Sequence, residues 1–264
     1  MPHDVKRYPG LRLFALLFFL YLYLPIAVVI VSSFNEDRLA TNWTGFSLRW
    51  YYKALSNNGL LDALQTSLIV ASVATVLATI VALMAALVLV RAQGVKYRQL
   101  SEVMVNLPLV LPEIVLAVAI LILFSRLGLE NGLLKLIIAH TSFCIPFAFL
   151  PIRARLQGME PDFEEAAQDL YATPWVTFRR VTLPLIAPGV ASGAMLALVI
   201  SMDDFITSSM LNSGGATTLP VFIFSLVRQG TTPELNAIST LITLASLAVA
   251  AIALSLTFTN QKTA

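Results

Sequence analysis

Charged residues are scarce in this sequence and absent from long parts of it. Asp, Glu, Lys and Arg make up 12% of the 264 residues, while hydrophobic residues make up 58%. An average soluble domain carries about twice that share of charge. One stretch, 103–125, contains only Glu113, and five others contain no charged residue at all: 13–35, 63–90, 136–152, 181–202 and 235–261. A bilayer-spanning helix needs about 20 apolar residues, so we predict an all-α membrane protein with six transmembrane helices.

Other absences exclude whole classes of function. The single cysteine, Cys144, excludes an internal disulfide and a cysteine-based metal cluster. No basic cluster with interleaved aromatic residues occurs, so nucleic acid is not an expected partner. The sequence also shows no phosphate-binding glycine loop, no nucleophile–base pair and no metal-ligand spacing. We therefore predict no catalytic residue, no metal site and no cofactor bound by this chain itself.

The distribution of basic residues predicts the orientation. The expected spans are 13–34, 64–90, 103–124, 133–152, 185–210 and 236–258, and they alternate the sides of the connecting segments. Eleven of the seventeen Lys and Arg residues then fall on one side, which the positive-inside rule places in the cytoplasm. Both termini and the connection at 153–184 are thus expected to be cytoplasmic. The apolar run Pro220–Val227 is too short to span and is expected at the interface. We expect one transmembrane domain over 1–264.

The connection at 153–184 is polar and has the local chemistry of two short helices. Asp162 is predicted to cap the first helix, with Glu165 completing a capping box. Thr173 is predicted to cap a second helix that has Pro174 at its first position. One face of the first helix is apolar, at helical spacing: Phe163, Ala166, Ala167 and Leu170. The composition fits either a hairpin on the membrane surface or a surface for a partner.

Two motifs in this connection carry a family resemblance. Glu165-Ala166-Ala167, followed after a gap by Leu183-Pro184, is similar to the EAA loop of permease subunits of bacterial ABC importers. Further motifs resemble the spermidine/putrescine permeases, especially the second of their two permease subunits, and together they cover nearly the whole chain: Ser33-Phe34-Asn35, Asn42-Trp43-x-Gly45-Phe46, Arg49-Trp50-Tyr51, Thr141-Ser142-Phe143-Cys144, Ser201-Met202-Asp203-Asp204 and Pro233-Glu234-Leu235-Asn236-Ala237.

The resemblance implies a function and a set of partners. It implies a type I ABC importer permease fold in the bacterial inner membrane, importing polyamines by alternating access. The implied partners are a second permease subunit, two ATPase subunits that bind ATP and Mg, and an extracytoplasmic substrate-binding protein. The connection would form coupling helices that dock into the ATPase, through Glu164, Glu165, Ala166, Ala167, Asp169, Leu170, Tyr171, Leu183 and Pro184.

Tyr171 departs from the family pattern, which has Gly three residues after the Glu-Ala-Ala motif. We expect Tyr171 just past the first coupling helix, at the left-handed cap position that favours Gly. A residue other than Gly costs roughly 1–2 kcal/mol in that conformation. Either the turn adopts another geometry, or Tyr171 itself contacts the partner.

Three acidic residues lie within or beside the predicted spans. Glu113 follows Pro108 and Pro112, which are expected to bend or break the helix, and Asp203 and Asp204 are adjacent. Acids inside a bilayer cost about 2.5–3.5 kcal/mol at a helix centre and mark functional sites. We expect them to line the path of a polycationic substrate. The alternative for the two Asp residues is a wetted position at the outer end of their span, and the sequence leaves open which of them faces the path.

Several other residues are weaker candidates. His140 is expected to be a hydrogen-bonded packing residue and not a ligand. Trp43, Trp50, Tyr51 and Tyr52 could cage an amine by cation–π contact, although anchoring at the membrane interface is the favoured interpretation. Two other functions stay open: an ABC importer for another small ligand, and an ion-coupled secondary transporter that uses Glu113 and Asp203.

Overall fold

A computed structural model of the chain describes residues 9–37, 43–92, 96–212, 215–230 and 232–261, with side chains except at residue 9 and residues 248–261. The described residues are helical apart from loops and one isolated antiparallel bridge between Asn35 and Phe46. The predicted all-α class is confirmed for this part of the chain. The helices are α1 Pro9–Ser32, α2 Arg49–Leu55, α3 Asn58–Arg91, α4 Arg98–Val110, α5 Glu113–Arg126, α6 Gly132–Gln157, α7 Asp162–Asp169, α8 Pro174–Thr177, a π-helical turn Phe178–Thr182, α9 Leu183–Asp203, α10 Ile206–Leu211, α11 Leu219–Arg228 and α12 Pro233–Gln261.

Four helical segments are long and apolar enough to cross a membrane: Gly10–Ser32, Asn58–Arg91, Gly132–Gln157 and Pro174–Asp203. The pair α4 and α5 gives a fifth span if the two helices are counted together. The sixth predicted span, 236–258, falls in α12, where side chains after Leu247 lie outside the described residues. The chain is a multi-pass membrane protein. The count of six spans and the side on which the termini lie stay predictions.

The third predicted span is not one continuous helix. α4 ends at Val110, α5 begins at Glu113, and their axes differ by 107°. Between them Leu111 is extended, with φ −76° and ψ 139°. The break follows from Pro112, which lacks an N–H and disfavours the helical conformation of the residue before it. Pro108 lies inside α4 without ending it. The break places Glu113 at the first turn of α5.

The fifth predicted span, 185–210, is also interrupted. α9 ends at Asp203, Asp204 is extended with φ −63° and ψ 118°, and α10 begins at Ile206. The Asp204 carboxylate accepts hydrogen bonds from the backbone N–H groups of Thr207 and Ser208. Short acidic side chains that bond nearby backbone groups in this way compete with the helix and favour its termini. Apolar residues continue on both sides of this break, so the hydropathy of the sequence does not indicate it.

The chain divides into two compact units: the described residues within Met1–Leu60 and Ile223–Ala264, and those within Leu61–Phe222. The prediction of one domain over 1–264 stays a prediction. In the larger unit α6 and α9 make the most extensive helix–helix contact. A Cβ atom on Gly193 would lie 2.5 Å from the Ala148 carbonyl oxygen, so only glycine permits this approach. Small residues at such seams are typical of helix pairs in membranes.

In the smaller unit Trp50 is a core residue. Its side chain is 2% exposed, and its Nε1–H donates to the Asn35 carbonyl at 2.9 Å. Arg49 and Lys53 lie over the ring at 4.8 and 5.4 Å from its centroid. Both interpretations of Trp50, amine cage and interfacial anchor, are therefore wrong, because the ring is buried and its face is occupied. Trp43 remains exposed, and its interfacial role stays a prediction.

Candidate functional site

The first candidate site lies at the two helix breaks of the larger unit. Asp204 is buried there, and its carboxylate caps α10 through the N–H groups of Thr207 at 3.3 Å and Ser208 at 2.7 Å. Its Oδ2 also lies 3.4 Å from Nε2 of His140, whose side chain is likewise buried. The Asp204 carboxylate is therefore held by contacts to α10 and to His140.

His140 completes a buried polar network around Asp204. Its Nδ1 lies 2.7 Å from the Ser201 hydroxyl oxygen, and its Nε2 lies 3.1 Å from the Ser208 hydroxyl oxygen. The residue is 1% exposed, so every polar atom of the ring has a partner, as burial requires. These contacts agree with the interpretation of His140 as a hydrogen-bonded packing residue. They join α6, α9 and α10 around the break.

Asp203 and Glu113 are both exposed, in contrast to Asp204. The side chain of Glu113 lies near those of Asp204 and Asp203, and their charges act on it. The contact between α5 and α10 brings these three acids together although they are distant in sequence. We name Glu113, Asp203 and Asp204 the acidic cluster. It has an open side, formed by Glu113 and Asp203, and a buried side, formed by Asp204.

The acidic cluster is suited to a cation. Among the described residues, no Lys or Arg forms a salt bridge with Glu113, Asp203 or Asp204. Carboxylates that no basic side chain pairs with attract cations. Within the same part of the chain, no group of three or more His, Cys, Asp or Glu side chains has an arrangement that could hold a metal ion.

We expect His140→Ala to destabilise the subunit because it leaves buried groups of Asp204, Ser201 and Ser208 without a partner. Each buried polar group that loses its partner costs about 1–3 kcal/mol. Thermal unfolding of the purified protein in detergent measures the effect. Ser142→Ala, at an exposed position of the same helix, is the control and is expected to unfold near the wild-type temperature. Equal unfolding temperatures for both variants would contradict the network's structural role.

The second candidate site is the connection between α6 and α9. α7 begins at Asp162, and Pro161 is its N-cap without a side-chain capping bond. The predicted capping box of Asp162 and Glu165 is therefore wrong, because Asp162 lies inside the helix and no side chain caps it. The Pro161 carbonyl accepts the N–H groups of Glu164 and Glu165 instead. Asp162, Glu164 and Glu165 all lie in the first turn, where negative charge interacts favourably with the helix dipole.

The large apolar residues of α7 and the turn after it are largely exposed. The exposed fractions are 53% for Phe163, 82% for Leu170 and 96% for Tyr171. Tyr171 has φ +60°, which confirms the predicted left-handed conformation past the helix. Trp175 in α8 is 67% exposed. We name Phe163, Leu170, Tyr171 and Trp175 the exposed apolar patch. Such a patch on a polar connection is a typical protein-interaction surface.

The second short helix forms as predicted. The Thr173 hydroxyl oxygen accepts the Val176 N–H at 3.4 Å, and Pro174 lies at the first helical position. The π-helical turn Phe178–Thr182 follows and runs directly into α9. Leu183 and Pro184 are the first two residues of α9. Pro184 has no N–H to donate back into this turn, which accounts for a departure from regular α-helical bonding at this point.

Glu164 differs from the other predicted coupling residues because it faces its own chain. Its Oε2 lies 2.8 Å from Nε of Arg91, and its Oε1 accepts the Thr182 hydroxyl at 2.7 Å. Neither Arg91 nor Thr182 stands out in the sequence as a functional candidate. The available signal was Arg91 itself, which is the first charge after the uncharged run 63–90.

The comparisons with known proteins identify the family. Residues 74–260 match the family described as binding-protein-dependent transport system inner membrane component. The chain is 38% identical over 244 residues to the putrescine transport system permease protein PotI of Escherichia coli (strain K12), covering 90% of this chain and 87% of that protein. It is 38% identical over 248 residues to the spermidine/putrescine transport system permease protein PotC of Haemophilus influenzae, covering 94% and 96%.

The fold is also similar to a solved structure, that of a bacterial ABC transporter involved in the import of the acidic polysaccharide alginate. The TM-score is 0.72 at 15% sequence identity, and the match covers 97% of this chain and 99% of that one. At this identity the likeness supports the fold alone. The predicted resemblance to the polyamine permeases is confirmed by the sequence matches. The chain therefore belongs to the family of binding-protein-dependent transport system inner membrane components, as a permease subunit of an ABC importer.

Proposed function

We propose that this subunit imports polyamines such as spermidine or putrescine, with Glu113 and Asp203 lining the path. The observation that carries the proposal is the acidic cluster, whose open side presents two carboxylates that no Lys or Arg pairs with in the described part of the chain. Rings of Asp or Glu favour cations, and the two curated relatives are named for putrescine and spermidine transport.

In this proposal Asp204 is a structural member of the cluster. It caps α10 and contacts His140, so its carboxylate is already occupied. Its negative charge still adds to the potential at Glu113, while Asp203 and Glu113 contact the amino groups directly. An elongated polycation can meet carboxylates from two helix breaks at once, which a small monovalent cation cannot do.

The proposed assembly contains this permease, a second and similar permease, two ATPase subunits and an extracytoplasmic binding protein in the bacterial inner membrane. The chain would have six spans and cytoplasmic termini. ATP and Mg would be bound by the ATPase subunits. The exposed apolar patch would dock into the ATPase, because it presents aromatic and aliphatic side chains beside the motif that resembles the coupling loop. Aromatic anchors of this kind carry most of the energy of many interfaces.

The test is the ATPase activity of the reconstituted complex with its binding protein. We expect spermidine or putrescine to raise the hydrolysis rate, and amino acids, sugars and inorganic anions to leave it unchanged. Stimulation by one of these other ligands, with no response to either amine, would contradict the assignment of polyamines as substrates and leave an ABC importer for another ligand.

A further inference from the structure

We propose that Glu164 links the coupling segment to the membrane helices and is required for transmission between ATP hydrolysis and transport, but not for ATPase docking. This inference rests on the proposed function, because it presumes that the exposed apolar patch binds an ATPase subunit. It adds a distinct role for one residue of α7. Docking and transmission would use different sides of the same short helix.

Glu164 and the large apolar residues of α7 differ in exposure. Phe163 and Leu170 are largely exposed, whereas the Glu164 side chain is only 15% exposed. Glu164, which the family resemblance places among the docking residues, is thus turned toward the rest of the chain. A partner that covers the exposed apolar patch would leave Glu164 and its contacts in place.

Several structural elements meet at the Glu164 carboxylate. Oε2 of Glu164 forms the ion pair with Arg91 at the last residue of α3, and Oε1 accepts the hydroxyl of Thr182 at the end of the π-helical turn. Nη2 of Arg91 also donates to the Met159 carbonyl, 2.9 Å away, just beyond the end of α6. One carboxylate and one guanidinium therefore connect α7 with α3, α9 and the segment after α6.

The ion pair of Arg91 and Glu164 lies in a largely buried environment. The Arg91 and Glu164 side chains are 22% and 15% exposed, and Thr182 is 3% exposed. A pair with this much burial is screened less by salt than a surface pair. A cavity of about 290 Å³ lies beside it, lined by residues that include Leu87, Gln168 and Phe178. α7 is otherwise poorly anchored, since none of its residues is buried.

These observations have a mechanical consequence. If a docked ATPase subunit moves α7, the displacement reaches α3 and α9 through the Glu164 contacts. Without those contacts α7 can follow the ATPase while the membrane helices stay in place. Loss of the Glu164 carboxylate should therefore uncouple the two activities and not separate the subunits.

The experiment compares Glu164→Gln with wild type in the assembled complex with its ATPase subunits. We expect co-purification of the ATPase to be unchanged and ATP hydrolysis to continue, while binding-protein-dependent stimulation and spermidine uptake fall at least about tenfold. Glu160→Gln, at an exposed position just before α7, is the matched control and should behave as wild type. Uptake by Glu164→Gln at the wild-type rate would overturn the proposal, as would loss of ATPase co-purification in a folded variant, which would make Glu164 a docking residue.

A charge exchange distinguishes transmission from a local folding defect. Arg91→Glu and Glu164→Arg alone are each expected to abolish uptake. The double variant should recover uptake to within about tenfold of wild type, because it restores the ion pair but not the hydrogen bond to the Met159 carbonyl. No recovery in a double variant that still binds the ATPase would overturn the proposal, even if the single variants fold poorly. Failure of the wild-type chain to bind any ATPase would instead contradict the proposed function.

Discussion

Asp203→Asn is expected to reduce the initial rate of spermidine uptake by at least about tenfold without loss of assembly. Asp203 is exposed at the end of α9 and forms no salt bridge with a Lys or Arg of the described residues, so its removal leaves no buried group unpaired. A hydrogen bond to a charged group is worth about 1.5–3 kcal/mol, and 1.4 kcal/mol corresponds to about a tenfold change. Uptake into cells or proteoliposomes measures the transport rate, and the yield of the purified complex measures assembly.

Two other substitutions serve as controls for Asp203→Asn. Glu130→Gln, in the exposed connection between α5 and α6, should leave uptake unchanged. Asp204→Ala should instead impair folding, because it removes the cap of α10 and the partner of His140. If Asp203→Asn and Glu113→Gln both transport spermidine at the wild-type rate, the acidic cluster does not line the path.

Tyr171→Gly is expected to weaken binding of the ATPase subunit by about 30-fold, although it relieves backbone strain in the free chain. Tyr171 has φ +60° and is 96% exposed, so the chain retains an unfavourable residue that makes no compensating packing contact of its own. Left-handed backbone costs a residue other than glycine roughly 1–2 kcal/mol. An aromatic anchor at an interface contributes about 2 kcal/mol or more. Titration of the ATPase subunit onto the purified permease measures its affinity for the wild type and for the variant.

Tyr171→Phe and Tyr171→Ala complete this experiment. The Phe variant keeps the ring and should bind the ATPase nearly as wild type does, while the Ala variant should lose both the ring and the benefit of glycine. If Tyr171→Gly binds as tightly as wild type and supports full uptake, the tyrosine is not part of the contact. The departure from the family pattern would then have no function in docking.

The sequence was sufficient to predict much of what depends on local chemistry, although the capping box at Asp162 does not form. The Thr173 cap with Pro174, the left-handed turn at Tyr171 and the helix break before Glu113 each follow from one or two residues. Long uncharged runs predicted the apolar helices for the same reason, since hydropathy acts along a contiguous segment. The EAA-like motif and the outer motifs indicated the family.

What the sequence could not show depends on contacts between distant residues. Asp203 and Asp204 look equivalent in sequence, and only the position of His140 on another helix makes one of them buried and structural. Glu164 was predicted to dock into the ATPase, and the sequence does not show that it contacts Arg91 and Thr182, which lie in other elements. Trp50 looked like an anchor or a cage, and its burial depends on Asn35. Helical spacing does not encode these pairings.

Uptake of radiolabelled spermidine into proteoliposomes that contain both permeases, the ATPase subunits and the binding protein decides the energy source most directly. We expect uptake when ATP is supplied on the side of the ATPase subunits, and none when ATP is replaced by an imposed proton or sodium gradient. Uptake driven by either gradient, in the absence of ATP and of the ATPase subunits, would contradict the account. It would make Glu113 and Asp203 ion-coupling residues of a secondary transporter.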